Sequence, residues 1–224
     1  MVDTDPQANA TSGLGVAAIE GKSTYEIIVG GISAAEAVQQ TPMPFLSIIP
    51  SHINLVGAEV ELVELEDREK RMRHALATIR NDYDFIFVDC PPSLGLLTLN
   101  ALTASDSVLI PVQCEYYALE GLGQLLFTVN MVKKQLNEHL DIEGVLLTMF
   151  DGRLRLSNQI VEEVKKYFGH KVFKTVVTRN VRLSEAPSFG KPIVLYDALS
   201  AGTRNYMELA HELLTRNHHQ VVTA

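Results

Sequence analysis

Short apolar runs alternate along this chain with longer amphipathic segments, and this alternation restricts the fold more than any other feature. Each run is bounded by turn-forming or charged residues, a pattern typical of strands that are buried on both faces. The amphipathic segments have the spacing of helices with one apolar face. The chain is therefore predicted to be an α/β protein with a mostly parallel sheet and helices on both faces. The strand-like runs are 45–50, 85–88, 107–111, 144–149 and 171–173, and the helical segments are 68–79, 121–136, 155–168 and 204–214.

The length of 224 residues suits one sizeable domain, and no internal repeat or linker divides the sequence. We predict a single domain over residues 1–216 and a disordered polar tail over 217–224. No apolar run approaches the roughly 18 to 20 residues of a membrane span, and the first residues do not show a basic stretch followed by an apolar core. These features predict a cytoplasmic protein that does not bind membranes. Cys90 and Cys114 lack the spacing of a zinc site or a disulfide framework and are predicted to be free thiols.

The formal net charge of −8 is unevenly distributed along the chain. Residues 1–150 hold 8 basic and 20 acidic side chains, whereas residues 151–224 hold 11 basic and 7 acidic ones. The balance is therefore −12 in the first part and +4 in the second. A protein of this kind repels polyanions on average and can still present one basic face to them.

A carboxylate follows one of the predicted strands directly. Residues 85–88 are apolar, Asp89 comes next, and Cys90, Pro91 and Pro92 follow. This is the form of a Walker B element, in which an aspartate at the tip of a buried strand holds Mg²⁺ through water. The same pattern also occurs where a strand simply ends before a turn, so both interpretations stay open on these residues alone.

Two further carboxylates stand at alternate positions near the start of the chain. If Val2 lies in a strand, Asp3 and Asp5 leave it on the same side, close to the carboxyl edge of the sheet where ligands bind in α/β proteins. Carboxylates in that place could orient an attacking water and a metal ion. An N-terminal turn rich in capping residues is the structural alternative.

Four blocks of sequence resemble one family. They are residues 3–15 (DTDPQANATSGLG), 84–102 (DFIFVDCPPSLGLLTLNAL), 111–121 (PVQCEYYALEG) and 179–193 (RNVRLSEAPSFGKPI). Together they closely resemble the ParA/Soj partition ATPases of the deviant Walker A group of P-loop NTPases. The resemblance extends from residue 2 to about residue 214, and the blocks occur in the order of the family.

The resemblance implies a role for each matching residue. Asp5 matches the catalytic carboxylate that activates the attacking water, Asp3 its partner near the metal, and Asp89 the aspartate that holds Mg²⁺. Pro91, Pro92, Ser93 and Gly95 match the second switch, which senses the γ-phosphate of ATP. The residues that fall where the family contacts adenine are Met149, Thr178, Arg179 and Asn180.

The resemblance also implies partners. Members of the family form ATP-dependent dimers that bind DNA without sequence preference, and a ParB-type centromere-binding protein stimulates hydrolysis. The implied protein is thus a cytoplasmic, nucleoid-associated homodimer of chromosome or plasmid segregation. Its candidate DNA contacts, all in the cationic part of the chain, are Arg179, Arg182, Lys191 and Arg204.

The sequence departs from the family in one large respect. The glycine-rich loop of the form KGGxGK[ST]T, whose backbone N–H groups and lysines hold phosphates, is absent from these 224 residues. Set against the family, the chain begins inside the second strand, so the first strand, the phosphate loop and the first helix are missing. We therefore expect an N-terminally truncated form that binds ATP poorly and folds marginally. Thr178 and Ala201 also replace residues common in the family, a proline and a basic residue.

Two other functions remain open at this point. The chain could be a short protein without ATPase activity that dimerises with, or modulates, a full-length relative. It could also be a MinD-like positioning ATPase with a different cargo, although the C-terminal residues 216–222 lack a basic amphipathic helix for membrane binding.

Overall fold

A computed structural model describes residues 1–116 and 118–217 and confirms the α/β prediction. The chain divides into two compact units. The first comprises Met1–Asp106, Phe127–Leu140 and Pro187–Lys191, and the second comprises Ser107–Leu126, Asp141–Ala186 and the residues from Pro192 onward. Of the predicted tail 217–224, all but Asn217 lies outside the described residues. The single domain over 1–216 stays a prediction.

Four short strands belong to the first unit. β1 (Val2–Asp3) has two neighbours: Val2 forms a parallel bridge with Ile49, and the strand as a whole pairs with the strand that begins at Val88. β2 (Gln39–Gln40) and β3 (Ser47–Ile48) are antiparallel, and β4 (Val88–Asp89) is the parallel partner of β1. The register places Val2 opposite Val88 and Asp3 opposite Asp89. The ends of β1 and β4 therefore lie side by side.

The helices of the first unit surround an apolar core. Ile28, Leu55, Leu62, Met72 and Leu97 are fully buried and pack in one cluster. A capping box at Ser23 and Glu26 fixes the start of the second helix, because each of the two residues bonds the backbone N–H of the other. The helices are α1 (Asn9–Gly13), α2 (Thr24–Val29), α3 (Ala34–Ala37), α4 (Leu55–Glu61), α5 (Arg71–Ala77) and α6 (Leu96–Ala104).

The second unit contains a parallel three-stranded sheet in the order β5, β6, β7. β5 spans Ser107–Gln113, β6 spans Asp141–Phe150 and β7 spans Val172–Thr178. Val145 and Leu147 of β6 are fully buried against apolar residues that include Ile160 and Val164. The remaining helices are α7 (Ala118–Gln135), which begins in this unit and ends in the first, α8 (Arg155–Phe168), α9 (Val181–Glu185), α10 (Ile193–Tyr196) and α11 (Ala201–Arg216).

The predicted elements are confirmed with altered bounds. Each of the five apolar runs contains or adjoins a strand, and the four amphipathic segments correspond to α5, α7, α8 and α11. Cys90 and Cys114 are free thiols, as predicted. Across the described ranges, no helix combines the length and apolarity that crossing a bilayer requires.

Candidate functional site

Three carboxylates meet where β1 and β4 end. Asp3 ends β1, Asp89 ends β4 directly opposite it, and Asp5 follows two residues after Asp3. Partial loss of hydration raises the pKa of the Asp89 carboxyl, and the negative charges of Asp3 and Asp5 raise it further. The structure thus brings together the three aspartates that the sequence singled out.

Asp3 is fully buried, and its carboxylate is already hydrogen-bonded within the chain. Its Oδ2 accepts bonds from the backbone N–H of Thr11 at 2.8 Å and from Thr11 Oγ1 at 2.7 Å. Its Oδ1 accepts the Asp5 N–H at 3.1 Å. These three bonds stabilise the buried charge and hold the segment 5–11 close to the end of β1.

Asp5 is less buried than Asp3 and sits in a tight turn. Its Oδ1 accepts the Gln7 N–H at 2.9 Å, and its backbone carbonyl accepts the Ala8 N–H at 2.9 Å. Ala8 adopts a φ of +54°, in the left-handed region, just before α1 begins. The turn directs Asp5 out of the β1 core, so its carboxylate is a better candidate than that of Asp3 for contact with a reacting water.

The carboxylates do not form a complete metal site. Within residues 1–116 and 118–217, no group of three or more His, Cys, Asp or Glu side chains is arranged to hold a metal ion. Mg²⁺ bound to nucleotides usually takes one or two carboxylates, with waters and phosphate oxygens as its other ligands. Asp89 is the more exposed of the two predicted metal residues and fits that requirement, whereas the Asp3 carboxylate is buried and already hydrogen-bonded.

The residues predicted to be the second switch form the loop between β4 and α6. Pro91 is half-buried, Pro92 is exposed, and Gly95 is the N-cap of α6. Thr98 in the first turn of α6 donates to the carbonyl of Ser93 at 2.6 Å, which ties the loop to the helix. The loop follows directly from Asp89, so its position depends on the same strand end as the acidic residues.

The four predicted adenine residues come together at the carboxyl ends of β6 and β7 in the second unit. Met149 adopts a φ of +54°, and Thr178 pairs with Phe150 in the parallel register. The N–H of Arg179 donates to the Phe150 carbonyl at 3.0 Å. Asn180 caps α9 by accepting the Arg182 N–H at 2.8 Å. Neighbouring strand ends are where α/β sheets bind ligands, and the adenine contacts stay a prediction.

An ion pair that the sequence did not single out, between Arg153 and Asp151, lies beside these residues. Arg153 bonds both carboxylate oxygens of Asp151, at 2.9 and 2.6 Å. The Arg153 side chain and backbone N–H together lower the pKa of Asp151 to about 2. Arg179 pairs with Glu115, which follows β5. In the sequence, the pair of Asp151 and Arg153 is visible only as the tripeptide DGR at 151–153, a pattern typical of an ordinary turn.

The four predicted DNA-contact residues differ in how they are engaged. Arg182 pairs with Glu185 at 2.9 Å and with Asp197 at 3.5 Å, and Arg204 donates to the Leu199 carbonyl at 2.9 Å. Lys191 is exposed and belongs to the first unit, whereas the three arginines belong to the second. Exposed ion pairs of this kind are weak and do not prevent contact with phosphates.

Comparisons with known proteins identify the family of this chain. A family model described as an AAA domain matches residues 1–142. The sporulation initiation inhibitor protein Soj of Bacillus subtilis is 59% identical over 215 residues, which cover 95% of this chain and 85% of that protein. The chain belongs to the Soj/ParA family of chromosome-partitioning ATPases.

A second curated relative and a solved structure are also similar to this chain. The chromosome partitioning protein ParA of Myxococcus xanthus is 54% identical over 218 residues, covering 97% of this chain and 77% of its own length. A crystal structure described as a Mycobacterium smegmatis cobyrinic acid a,c-diamide synthase with bound ATP analogue and magnesium has a TM-score of 0.75. It is 34% identical, and the match covers 84% of this Soj/ParA chain and 78% of the other.

Several residues that organise the site gave no functional signal in the sequence. Thr11 binds Asp3, Asn205 accepts bonds from Thr178, and Asn100 joins α6 to α5. Asn100 stands in the mostly apolar stretch LLTLNAL, and an amide side chain in such a stretch was the available clue.

Proposed function

We propose that this chain is a ParA/Soj-type ATPase of chromosome or plasmid segregation that works in the cytoplasm on the nucleoid. The identity of 59% to Soj, together with the acidic residues at the ends of β1 and β4, carries the proposal. ATP-dependent dimerisation, DNA binding without sequence preference and stimulation by a ParB-type partner are parts of it. The two curated relatives favour partition over a MinD-like role, since one is named as a sporulation initiation inhibitor, Soj, and the other as a chromosome partitioning protein, ParA.

The residues of the chain take distinct roles in this proposal. Bound ATP supplies the phosphoryl group, and Mg²⁺ offsets its negative charge. Asp89 would hold the metal through water, and Asp5 would orient the attacking water from the turn after β1. Asp3 keeps that turn in place through Thr11 and the Asp5 N–H. Met149, Thr178, Arg179 and Asn180 would receive the adenine at the ends of β6 and β7.

The first experiment measures nucleotide binding and phosphate release by the purified 224-residue protein. We expect ATP with Mg²⁺ to bind weakly, because the sequence contains no lysine-bearing phosphate loop. Asp5→Ala should bind ATP as the wild type does and release phosphate at least about 100-fold more slowly, the usual contribution of a positioned acid or base. Gln7→Ala is a matched control, because Gln7 is exposed and contacts Asp5 through its backbone N–H. Equal phosphate release by wild type and Asp5→Ala would remove Asp5 from this role.

A second candidate function is that of a modulator of a full-length relative. In that case the purified chain would be folded, would not hydrolyse ATP, and would change the hydrolysis rate of a full-length Soj/ParA protein when mixed with it. Absence of both hydrolysis and any effect on the relative would contradict both candidates.

A further inference from the structure

Glu59 presents an unexplained buried oxygen to the start of α6. Its Oε1 is buried and has no hydrogen-bond partner among the described residues. A Cβ atom placed on Gly95 would collide with this oxygen and would lie 3.1 Å from Glu59 Cδ. Glu59 stands on α4, so the contact joins two different helices. A buried carboxylate oxygen without a donor costs free energy, so a compensating interaction is expected nearby.

The N-terminus of α6 lies beside this oxygen and carries partial positive charge. Gly95 is the N-cap, it has no side chain to offer, and no side-chain cap is formed there. The first N–H groups of a helix have no partner within the helix, and its N-terminus attracts negative charge. The carboxylate of Glu59 therefore places a charge of the favourable sign beside these N–H groups. This charge comes from α4 and not from residue 95 itself. A side chain at position 95 would occupy the space that the Glu59 carboxylate fills.

The start and the middle of α6 are anchored differently. The middle is fixed by the buried Asn100, which accepts the Met72 N–H at 3.1 Å and donates to the Arg68 carbonyl at 2.7 Å. The first turn is joined to the loop by the bond from Thr98 to the Ser93 carbonyl. A shift of the loop would therefore act on the first turn of α6 beside Glu59, whereas the bonds of Asn100 hold the middle of the helix.

We propose that Glu59 is a positioning residue of the second switch: its carboxylate holds the N-terminus of α6, and through Ser93 the loop 91–95, against α4. This inference rests on the proposed function in one respect, the identification of that loop as a switch. The contact favours one loop position over others and couples α4 to the segment that follows Asp89.

Hydrogen exchange of the nucleotide-free protein tests the contact without any assumption about ATP. Peptides covering residues 90–99 would be compared in the wild type, Glu59→Ala and Glu59→Gln. We expect about tenfold faster exchange in Glu59→Ala, since the first turn of α6 would open more often. Glu59→Gln, which keeps an acceptor oxygen and the shape, should show a smaller increase. Glu64→Ala is the control, because Glu64 is an exposed glutamate that lies three residues after the end of α4. Exchange in Glu59→Ala equal to that of the wild type would overturn the proposal.

A double-mutant cycle tests the proximity of the two residues. Gly95→Ala should lower Tm by about 4 °C, because its Cβ collides with Glu59. Glu59→Ala removes the colliding atoms, so the double variant should lose less than the sum of the two single losses. Strictly additive losses would contradict a direct contact.

A kinetic measurement separates positioning from general stabilisation. With ATP and Mg²⁺, Glu59→Ala should lower kcat per folded molecule about threefold or more. KM for ATP should change little, because Glu59 contacts the end of the loop at Gly95 and has no proposed contact with the nucleotide. Glu59→Gln should restore most of the rate. An unchanged kcat per folded molecule would limit Glu59 to a structural role and refute the proposal. If the wild type itself hydrolyses no ATP, the proposed function fails, and the exchange experiment still decides whether Glu59 positions the loop.

Discussion

At the scale of single residues, the hydroxyl of Thr11 links the acidic turn to the body of the first unit. It donates to Asp3 Oδ2 at 2.7 Å and accepts the Ser51 N–H at 3.0 Å, and Thr11 is buried. Thr11→Val keeps the shape and removes both bonds, which should cost about 1–3 kcal/mol because a carboxylate and an N–H lose a partner. Thermal unfolding would show this as a lower Tm. Ser12→Ala, which removes an exposed hydroxyl bonded to the Asn9 carbonyl, should leave Tm nearly unchanged. Equal Tm values for both variants would contradict the role given to Thr11.

At the scale of elements, Glu212 attaches α11 to β7. Its carboxylate accepts the N–H groups of Lys174 and Thr175 at 2.9 and 3.0 Å and pairs with Arg216 at 2.7 Å. Burial opposes ionisation, but these bonds outweigh it and lower the pKa of Glu212 below the ordinary value of a glutamate. A lowered folded pKa contributes stability above the unfolded value, and this stability is lost as the pH falls through the folded pKa. The stability advantage of the wild type over Glu212→Gln should therefore be full at pH 6 and shrink below about pH 4.5. Urea unfolding at several pH values checks this, with Glu208→Gln on the exposed side of α11 as control. An advantage independent of pH would contradict it.

The elements also differ in how far the sequence could predict them. Apolar runs such as 144–149 reveal strands because a buried strand needs apolar residues on both faces. The polar beginning of β6, with Asp141 and Glu143, escaped prediction because its pairing depends on β5 and on Lys171. The helix α6 was not predicted, because a helix that is buried on most sides shows no amphipathic periodicity in its sequence. Asp3, Asp5 and Asp89 were predictable from their places at strand ends. The contact of Glu59 with Gly95 was not, since it joins residues 36 positions apart in the chain.

At the scale of the whole molecule, the uneven charge predicts how DNA binding should depend on salt. With a formal net charge of −8, the chain repels DNA on average, so the proposed DNA binding would depend on local cations in the part whose balance is +4. Arg182→Glu should weaken binding to DNA of any sequence and reduce the slope of log affinity against log salt by about 1, the value for one lost phosphate contact. Lys134→Glu changes the net charge equally but lies on α7, in the acidic part of the sequence. Titrations of both variants at several salt concentrations, with ATP present, separate the two effects. A reduced slope in Arg182→Glu alone would place a phosphate contact at Arg182, whereas equal losses in both variants would mean that net charge, and no particular surface, governs the binding.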